Sequence, residues 1–486
     1  MLAAAGDIAL RLWPYVAGGF VLGCAVVAAG HAAMYKRDAR AAAGWVGLIL
    51  VFPLAGSLLY YFLGINRIQR TAVRLRRRQP LTRKACELVC TPQELREMLP
   101  AGARHLASLN MAVARITSAP LLEGNAIEPL VNGDAAYPAM IAAIDNARAS
   151  VAMLTYIFDN DAAGRMFVDA LARAVQRGVA VRVLIDAIGA RYSRPSIIKT
   201  LRAARVPVQR FMPSSKPWRT QYMNLRNHRK MLVLDGCVAF TGGMNIRIGH
   251  MMQQPSRHPV QDLHFRVQGP VVSQLREVFA EDWLFSSGET LQGARWFPNV
   301  ATAGTVIARG ITDGPDENLN KLERVLQSAL ASAQRSIKIL TPYFLPSMAL
   351  IAALNTAALR GVAVDIILPA RNNLRTVGWA MMAQLWQVLE WGCRVWLTPP
   401  PFDHSKLMLV DGEWSLLGSA NWDPRSLRLN FEYNIECYSR ALATTLDALL
   451  EAKRAAARPI TLADVDGRRL LLRLRDSVAR LFAPYL

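Results

Sequence analysis

Asn227-His228-Arg229-Lys230-Met231-Leu232-Val233-Leu234-Asp235-Gly236, followed by Thr241-Gly242-Gly243-Met244-Asn245, decides the fold because it returns. The second copy reads Asp403-His404-Ser405-Lys406-Leu407-Met408-Leu409-Val410-Asp411-Gly412, then Leu417-Gly418-Ser419-Ala420-Asn421. Both are HxKxxxxD with a Gly-x-x-Asn at the same offset, in a chain holding only seven histidines and nine lysines. Two such matches in register argue for duplication, not coincidence.

Working outward, each copy is preceded by the same order of elements. Ser150 to Phe158 is an apolar strand pattern, then come a helical stretch, Arg177-Gly178-Val179-Ala180-Val181 and the strand Val183 to Asp186. Ser336 to Phe344, a helical stretch, Arg360-Gly361-Val362-Ala363-Val364 and Ile366 to Leu368 repeat it. Strand, helix, glycine turn and strand make a βαβ unit, which demands a parallel or mixed sheet covered by helices. The expected fold is α/β: two duplicated halves, each a mixed sheet flanked by helices, related by a pseudo-two-fold axis. The halves are placed at residues 113–300 and 301–460.

The spacing carries chemistry. Residues i and i+2 of a strand share a face, so His228 sides with Lys230 and His404 with Lys406. Packed about a two-fold axis, both pairs converge on one pocket. Two imidazoles and two ammoniums suit an anionic centre that exchanges a leaving group. One histidine attacks phosphorus, and the other protonates the departing oxygen and later deprotonates the incoming hydroxyl. Lys230, Lys406, Asn245 and Asn421 would hold the non-bridging oxygens, beside the tight turns at Gly243 and Ser419. No metal and no cofactor is expected, because the lysines supply the positive charge.

The ends of the chain point to a membrane. Leu12 to Met34 and Ala41 to Leu63 are uncharged runs of 23 residues each, separated by a polar stretch that holds Lys36, Arg37 and Arg40. At 1.5 Å per residue either run can cross a ~30 Å hydrocarbon core. Residues 1–66 are therefore expected to form a two-helix transmembrane hairpin, with Pro53 and Gly56 kinking the second helix. A cleaved signal peptide is the rival for the first run, and its apolar length argues against that. Arg67, Arg70, Arg74, Arg76, Arg77, Arg78, Arg83 and Lys84 follow, in a basic juxtamembrane linker over 67–112. They argue for a cytoplasmic catalytic body and for contact with an anionic leaflet. Residues 461–486 form a basic tail. Leu470 to Leu486 reads as an amphipathic helix at the bilayer surface, the alternative being a helix packed on the domain.

Lys+Arg is 57 against 36 Asp+Glu, a net charge of +21, and hydrophobic residues make up 52%. That excludes a disordered chain and points to an anionic partner. The six cysteines lack CxxC spacing and are read as free thiols, with Cys86 and Cys90 on one helix.

These motifs resemble the phospholipase D superfamily, defined by paired HxKxxxxD motifs, and within it the bacterial cardiolipin synthases, over nearly the whole chain. Asn224 to Lys230, Gly418 to Glu432, Gly314-Pro315-Asp316, Thr341 to Phe344 and the N-terminal hairpin carry the likeness. The resemblance implies that two phosphatidylglycerols give cardiolipin and glycerol through a phosphohistidine, at a bacterial inner membrane. It implies His228 as nucleophile and His404 as general acid and base, with Asp262 and Glu432 as the carboxylates that orient the imidazoles. Asp235 and Asp411 are read as supports for the strand ends and turns. The chain carries Val260-Gln261-Asp262 where many relatives have Trp-Arg-Asp. Rival readings are a hydrolase releasing phosphatidic acid, a nucleic-acid phosphodiesterase and an inactive lipid-binding scaffold. The membrane segments argue against nucleic acid as partner, and the two intact motifs argue against the scaffold.

Three weaker signals remain. Phe211 to Tyr222 fits a lipid-facing lip and equally a surface loop. The Met and Trp stripe over Val377 to Trp391 fits a helix in the core better than an acyl groove. His31, His105, His250 and His258 are read as structural or exposed, while His264 shares a strand face with Asp262.

Overall fold

The computed structural model describes residues 2–36, 39–64, 88–212, 225–316 and 318–483. It contains two compact units, Met1–Thr71 and Ala72–Leu486. Arg37, the eight cations from Arg67 to Lys84, Cys86 and the stretch 213–224 lie outside the described residues.

The N-terminal unit begins with the helix Leu2–Tyr35, whose segment Leu12–Tyr35 is long and apolar enough to cross a membrane. The second run departs from the expected single span. It forms a helix over Ala39–Val51, breaks at Phe52, resumes over Pro53–Leu59 and ends in a π-turn over Tyr60–Gly64. Pro53 is the cause: its ring cannot sit against the preceding turn, so it takes the first position of a new helix. The pieces pack back on the first helix through Ala25, Ala32, Ile49 and Tyr60, and the Tyr60 hydroxyl lies 2.7 Å from His31 Nδ1. Among the described residues only one uninterrupted helix therefore has spanning length.

The second unit holds the duplication. In half 1 the strands are β1 (Leu122–Val131), β2 (Ser150–Thr155), β3 (Ala180–Asp186), β4 (Val208–Phe211), β5 (Arg226–Asn227), β6 (Met231–Leu234), β7 (Val238–Gly242), β8 (Val260–Gln261) and β9 (Leu263–Gln268). In half 2 they are β10 (Val306–Asp313), β11 (Ser336–Leu340), β12 (Ala363–Pro369), β13 (Arg394–Thr398), β14 (Phe402–Asp403), β15 (Leu407–Val410), β16 (Trp414–Gly418), β17 (Asn430–Tyr438) and β18 (Arg458–Ile460). Half 1 runs β4-β3-β2-β6-β7-β9-β1 and half 2 runs β13-β12-β11-β15-β16-β17-β10, the same order twice. Antiparallel pairing of β1 with β10 joins them into one continuous sheet, and β18 extends the far edge.

The motif explains its own local structure. Met231 to Leu234 and Leu407 to Val410 are buried at every position, as strands inside a helix-covered sheet must be. Asp235-Gly236 and Asp411-Gly412 then turn the chain, with φ of +49°, +63°, +55° and +68°. Positive φ at both central residues is the requirement of a two-residue hairpin, and Asp-Gly meets it at least cost. Each half has its own apolar core: Val151, Phe167, Leu171, Val183 and Leu232 lie in one, Val325, Ile339, Leu354, Ile366 and Met408 in the other. Each such fully buried side chain contributes about 1.5–3 kcal/mol.

Two segments differ from the sequence reading. Residues 88–112, assigned to a linker, fold onto half 2. Thr91 and Glu94 form a capping box for the helix Pro92–Met98, and Leu95, Leu106, Leu109 and Val113 join the core of half 2. Cys90 is extended and not helical, its N–H donating to Leu121 O at 2.8 Å. The Met and Trp stripe is also two short helices, Arg375–Met382 and Trp386–Leu389. Val377 and Met381 are core, whereas Trp386 and Trp391 are exposed.

Candidate active site

The site lies where each half lends a strand to the other. β5, just before His228, pairs parallel with the start of β17, and β14, just before His404, pairs parallel with β8. The His228 N–H donates to Phe431 O at 2.9 Å and the His404 N–H to Gln261 O at 2.8 Å. A buried pair, Arg229 Nη1 to Asp282 at 2.6 Å, fastens the first crossing, with Asn227 Nδ2 on the same carboxylate at 2.8 Å. Removing one member would strand the other as a buried charge.

The crossing swaps the carboxylates. His228 Nδ1 lies 3.0 and 3.1 Å from the two oxygens of Glu432, and His404 Nδ1 lies 2.8 Å from Asp262. Each imidazole is thus held by the opposite half. A carboxylate accepting from Nδ1–H fixes the tautomer and leaves the Nε2 lone pair for chemistry. The ammoniums of Lys230 and Lys406 donate back to the carbonyls of His228 and His404. All four side chains are almost fully buried and within electrostatic reach of one another.

Burial, with the lysines adding to it, lowers His228 to about 4 despite Glu432, and drives His404 well below its ordinary value. Both imidazoles are therefore neutral at pH 7. Burial also lowers Lys230 to about 7 and Lys406 to about 8, each further depressed by the other. The pocket is short of negative charge, and an anion placed between the lysines would relieve all four groups.

The other candidates fall into two sets. Asn245 and Asn421 are buried beside the pocket: Asn245 Oδ1 accepts from Ile157 N at 3.1 Å, and Asn421 Nδ2 donates to Ser426 Oγ at 3.2 Å. Ser419 Oγ donates to Glu432 at 2.5 Å, while a side chain at Gly243 would meet the Asp262 carboxylate. Asp235 and Asp411 lie at the far ends of β6 and β15. Asp235 accepts the N–H groups of Arg148, Ala149 and Ser150, and Asp411 those of Gln334, Arg335 and Ser336. They clamp the hairpin turn to the start of the neighbouring strand.

Some neighbours went unassigned in the sequence reading. The Tyr156 ring lies 5.1 Å from the His228 ring, and the Tyr343 and Phe402 rings lie 6.2 and 6.0 Å from His404. His250 is buried, with Nδ1 3.2 Å from Val260 O, and feels both Asp262 and His404. His105 bonds Asp411 at 2.7 Å across more than 300 residues, so it serves the clamp and not the pocket. His264 is buried near Asp262 and Lys230, its Nδ1 without a partner among the described residues. The one signal available in sequence was the recurrence of Thr155-Tyr156-Ile157-Phe158 as Thr341-Pro342-Tyr343-Phe344.

The comparisons with known proteins agree with this geometry. A family model described as cardiolipin synthase, PLD-like domain, matches residues 140–283 and 326–454. A second, phospholipase D-nuclease N-terminal, matches residues 23–64. A cardiolipin synthase A of Pseudomonas fluorescens is 33% identical over 462 residues, 95% of this chain and 96% of that protein. One from Pseudomonas putida is 31% identical over 475 residues, covering 96% and 98%. The solved phosphatidylserine synthase of Haemophilus influenzae Rd KW20 shares the fold: its TM-score is 0.61 at 17% identity, with 78% of this chain and all of that one covered.

Proposed function

The chain belongs to the cardiolipin synthases built on phospholipase D-like domains and is a phosphatidyltransferase; from that premise we propose how its residues divide the work. Phosphatidylglycerol is the donor, and the reacting phosphate sits between Lys230 and Lys406. His228 Nε2 attacks phosphorus and a phosphatidyl-histidine forms as the P–O bond to glycerol breaks. His404 protonates that oxygen, and glycerol leaves. A second phosphatidylglycerol gives its hydroxyl proton to His404 and attacks phosphorus, which returns His228 and releases cardiolipin.

The observation that carries this division is the reciprocal clamp and its inequality. Four groups bind the Glu432 carboxylate: His228, Ser419 at 2.5 Å, Ser426 at 3.0 Å and Asn430 at 3.1 Å. Burial raises its pKa, but His228, Lys230 and Ser419 outweigh that and hold it below the usual range. Asp262 has His404 and one N–H, Leu263 at 2.8 Å, and burial raises it in spite of Lys406. A phosphorylated imidazole gains positive character, so the firmly ionised Glu432 favours the intermediate on His228.

The membrane attachment is part of the same proposal. The helix Leu12–Tyr35 crosses the bilayer, and the helices over 39–64 return the chain, so the body lies on the cytoplasmic side under the basic segment 67–84. The C-terminal helix Leu470–Leu481 makes a second, interfacial contact. It is docked by its charged face: Asp476 is buried against Arg468 and Arg475, and the Arg475 guanidinium stacks 4.3 Å above Trp379. Its outward face presents Leu470, Leu471, Leu474, Val478, Leu481 and Phe482, all exposed. A contiguous apolar patch flanked by Arg469 and Arg473 fits an anionic leaflet.

The test is product analysis with phosphatidylglycerol as sole substrate of the detergent-solubilised full chain. Cardiolipin with equimolar glycerol, lost in His404→Ala, is expected. Phosphatidic acid in place of cardiolipin would make water the acceptor and overturn the transferase reading.

A further inference from the structure

We propose that Arg226 and Arg425, together with Tyr156, form a second anion subsite at the mouth of the pocket, and that it takes the phosphate of the acceptor phospholipid. The proposal rests on the transferase reading above.

The position is set by the crossing of the halves. Arg226 sits in β5, paired with Asn430 at the start of β17. The short helix Pro424–Arg428 leads directly into that strand, and the Leu429 N–H donates to Arg425 O at 2.9 Å. The two guanidiniums therefore flank one point of the fold. Arg226 Nη1 donates to the Tyr156 hydroxyl at 2.9 Å, and the Tyr156 ring reaches inward to 5.1 Å from His228 and 5.6 Å from Lys230 Nζ. Outward, Tyr156 meets Tyr192 at 6.4 Å between ring centroids, and Tyr192 is 59% exposed. One tyrosine thus separates the arginine pair from the lysine pair, and the arginines lie on the solvent side.

The scaffold does not ask for these cations. The duplication supplies an internal control: two residues before His404 the chain has Phe402 where half 1 has Arg226, and four after Asn245 it has Gly249 where half 2 has Arg425. Both cations lie on one flank of an otherwise two-fold site. The nearby carboxylate is already committed, since Asp186 accepts from Ile188, Gly189 and Asn227 at 2.8–2.9 Å. Arg226 Nε is buried with no partner among the described residues. Burial, and then Arg226 itself, lowers the pKa of Arg425. Two partly desolvated guanidiniums side by side favour an anion between them.

The reaction brings one anion that the lysines do not hold. The donor carries a single phosphate, which is the reacting one. The acceptor carries its own phosphate, joined to the attacking hydroxyl by a glycerol. Water and free glycerol carry none. Arginines that bind that phosphate would select phosphatidylglycerol over water at the second step. In that step the acceptor oxygen forms a bond to phosphorus, the P–N bond to His228 breaks, and the hydroxyl proton passes to His404.

The experiment compares two acceptors on the same phosphatidyl-enzyme. The full chain in mixed micelles of phosphatidylglycerol is supplied with labelled glycerol, and both cardiolipin synthesis and label exchange into phosphatidylglycerol are followed. Exchange uses the uncharged acceptor. In Arg226→Gln and Arg425→Gln the ratio of cardiolipin synthesis to exchange should fall about tenfold, the loss of a charge-assisted contact. Arg226→Lys should recover part of it. Equal loss of both activities, or loss of neither, overturns the subsite and leaves the transferase reading standing. A wild-type chain that makes only phosphatidic acid overturns the reading itself, and the subsite with it.

Discussion

The two halves share strand order, hairpin turn and clamping aspartate, and differ in what surrounds the histidine each presents. His228 has a carboxylate with four partners, an edge-on tyrosine and an arginine at the rim. His404 has a shorter carboxylate with fewer partners and a wall of Tyr343 and Phe402. Even the tyrosines are not symmetry mates. Phe158 and Phe344 bridge to equivalent residues, Ile246 and Trp422, so Tyr343 corresponds to Ile157, not to Tyr156. Duplication supplied two equal imidazoles in one pocket. The divergence around them makes one suited to hold phosphorus and the other to move a proton.

The sharpest way to break that comparison is to remove each histidine. His228→Ala and His404→Ala should both lower turnover by about 10⁴-fold. They should differ in the trapped intermediate. A phosphatidyl donor whose leaving group needs no proton should still label the His404→Ala enzyme in an acid quench, and should not label His228→Ala. Label recovered on a peptide containing His404 would reverse the roles.

The carboxylates come next. Glu432→Gln should cost roughly 10³ in turnover and Asp262→Asn roughly 10², both through the imidazole that each orients. The larger effect belongs to Glu432 because it must balance the charge on the phosphorylated ring. Equal losses in single-turnover cardiolipin formation would mean that the extra hydrogen bonds to Glu432 serve packing alone.

The clamping aspartates should separate stability from chemistry. Asp235→Ala and Asp411→Ala each remove three N–H···carboxylate bonds, at a cost of about 3 kcal/mol in unfolding free energy. Asp411→Ala should be the worse of the two, because His105 loses its partner as well. Chemical denaturation of the full chain in detergent measures both, and kcat of the folded fraction should change little. A hundredfold fall in that kcat would place these carboxylates in proton transfer.

The motif pair and the βαβ order were legible because they are local: spacing within a strand and Gly after a helix survive in a linear text. The same locality made Asp-Gly readable as a turn. The swap of carboxylates was not legible, since Glu432 reaches His228 across 204 residues and Asp262 reaches His404 across 142. Motif order suggests two carboxylates and is silent about which ring each one holds. His105 escaped for the same reason, because its partner is set by helices at 88–117 folding onto half 2. The broken second membrane helix was half legible: Pro53 announced a kink, but hydropathy counted the run as one segment.

The smallest effect tests the comparison at a residue that does no chemistry. In half 1 Gly242 pairs with His264, and in half 2 the equivalent Gly418 pairs with Asn434. Burial, with Lys230 adding to it and Asp262 opposing, lowers His264 from 6.5 to about 4. The folded state therefore keeps the ring neutral where the unfolded chain would protonate it. That contribution is complete above pH 6.5 and is lost as the pH falls toward 4. His264→Asn copies the residue of half 2 into half 1 and offers the Met244 N–H the acceptor that Asn434 Oδ1 gives Ala420 N at 3.3 Å. The variant should match the wild type in Tm at pH 8 and lose less Tm between pH 6.5 and 4. Some acid sensitivity should persist, because burial also lowers His228 and His250, to about 4 and about 3. Cardiolipin synthesis should stay within about twofold, since the substituted position is occupied by an amide in the other half of the same site. A loss as large as that of Asp262→Asn would mean that His264 supports the Asp262–His404 pair, and that the two halves hold their carboxylates by different means.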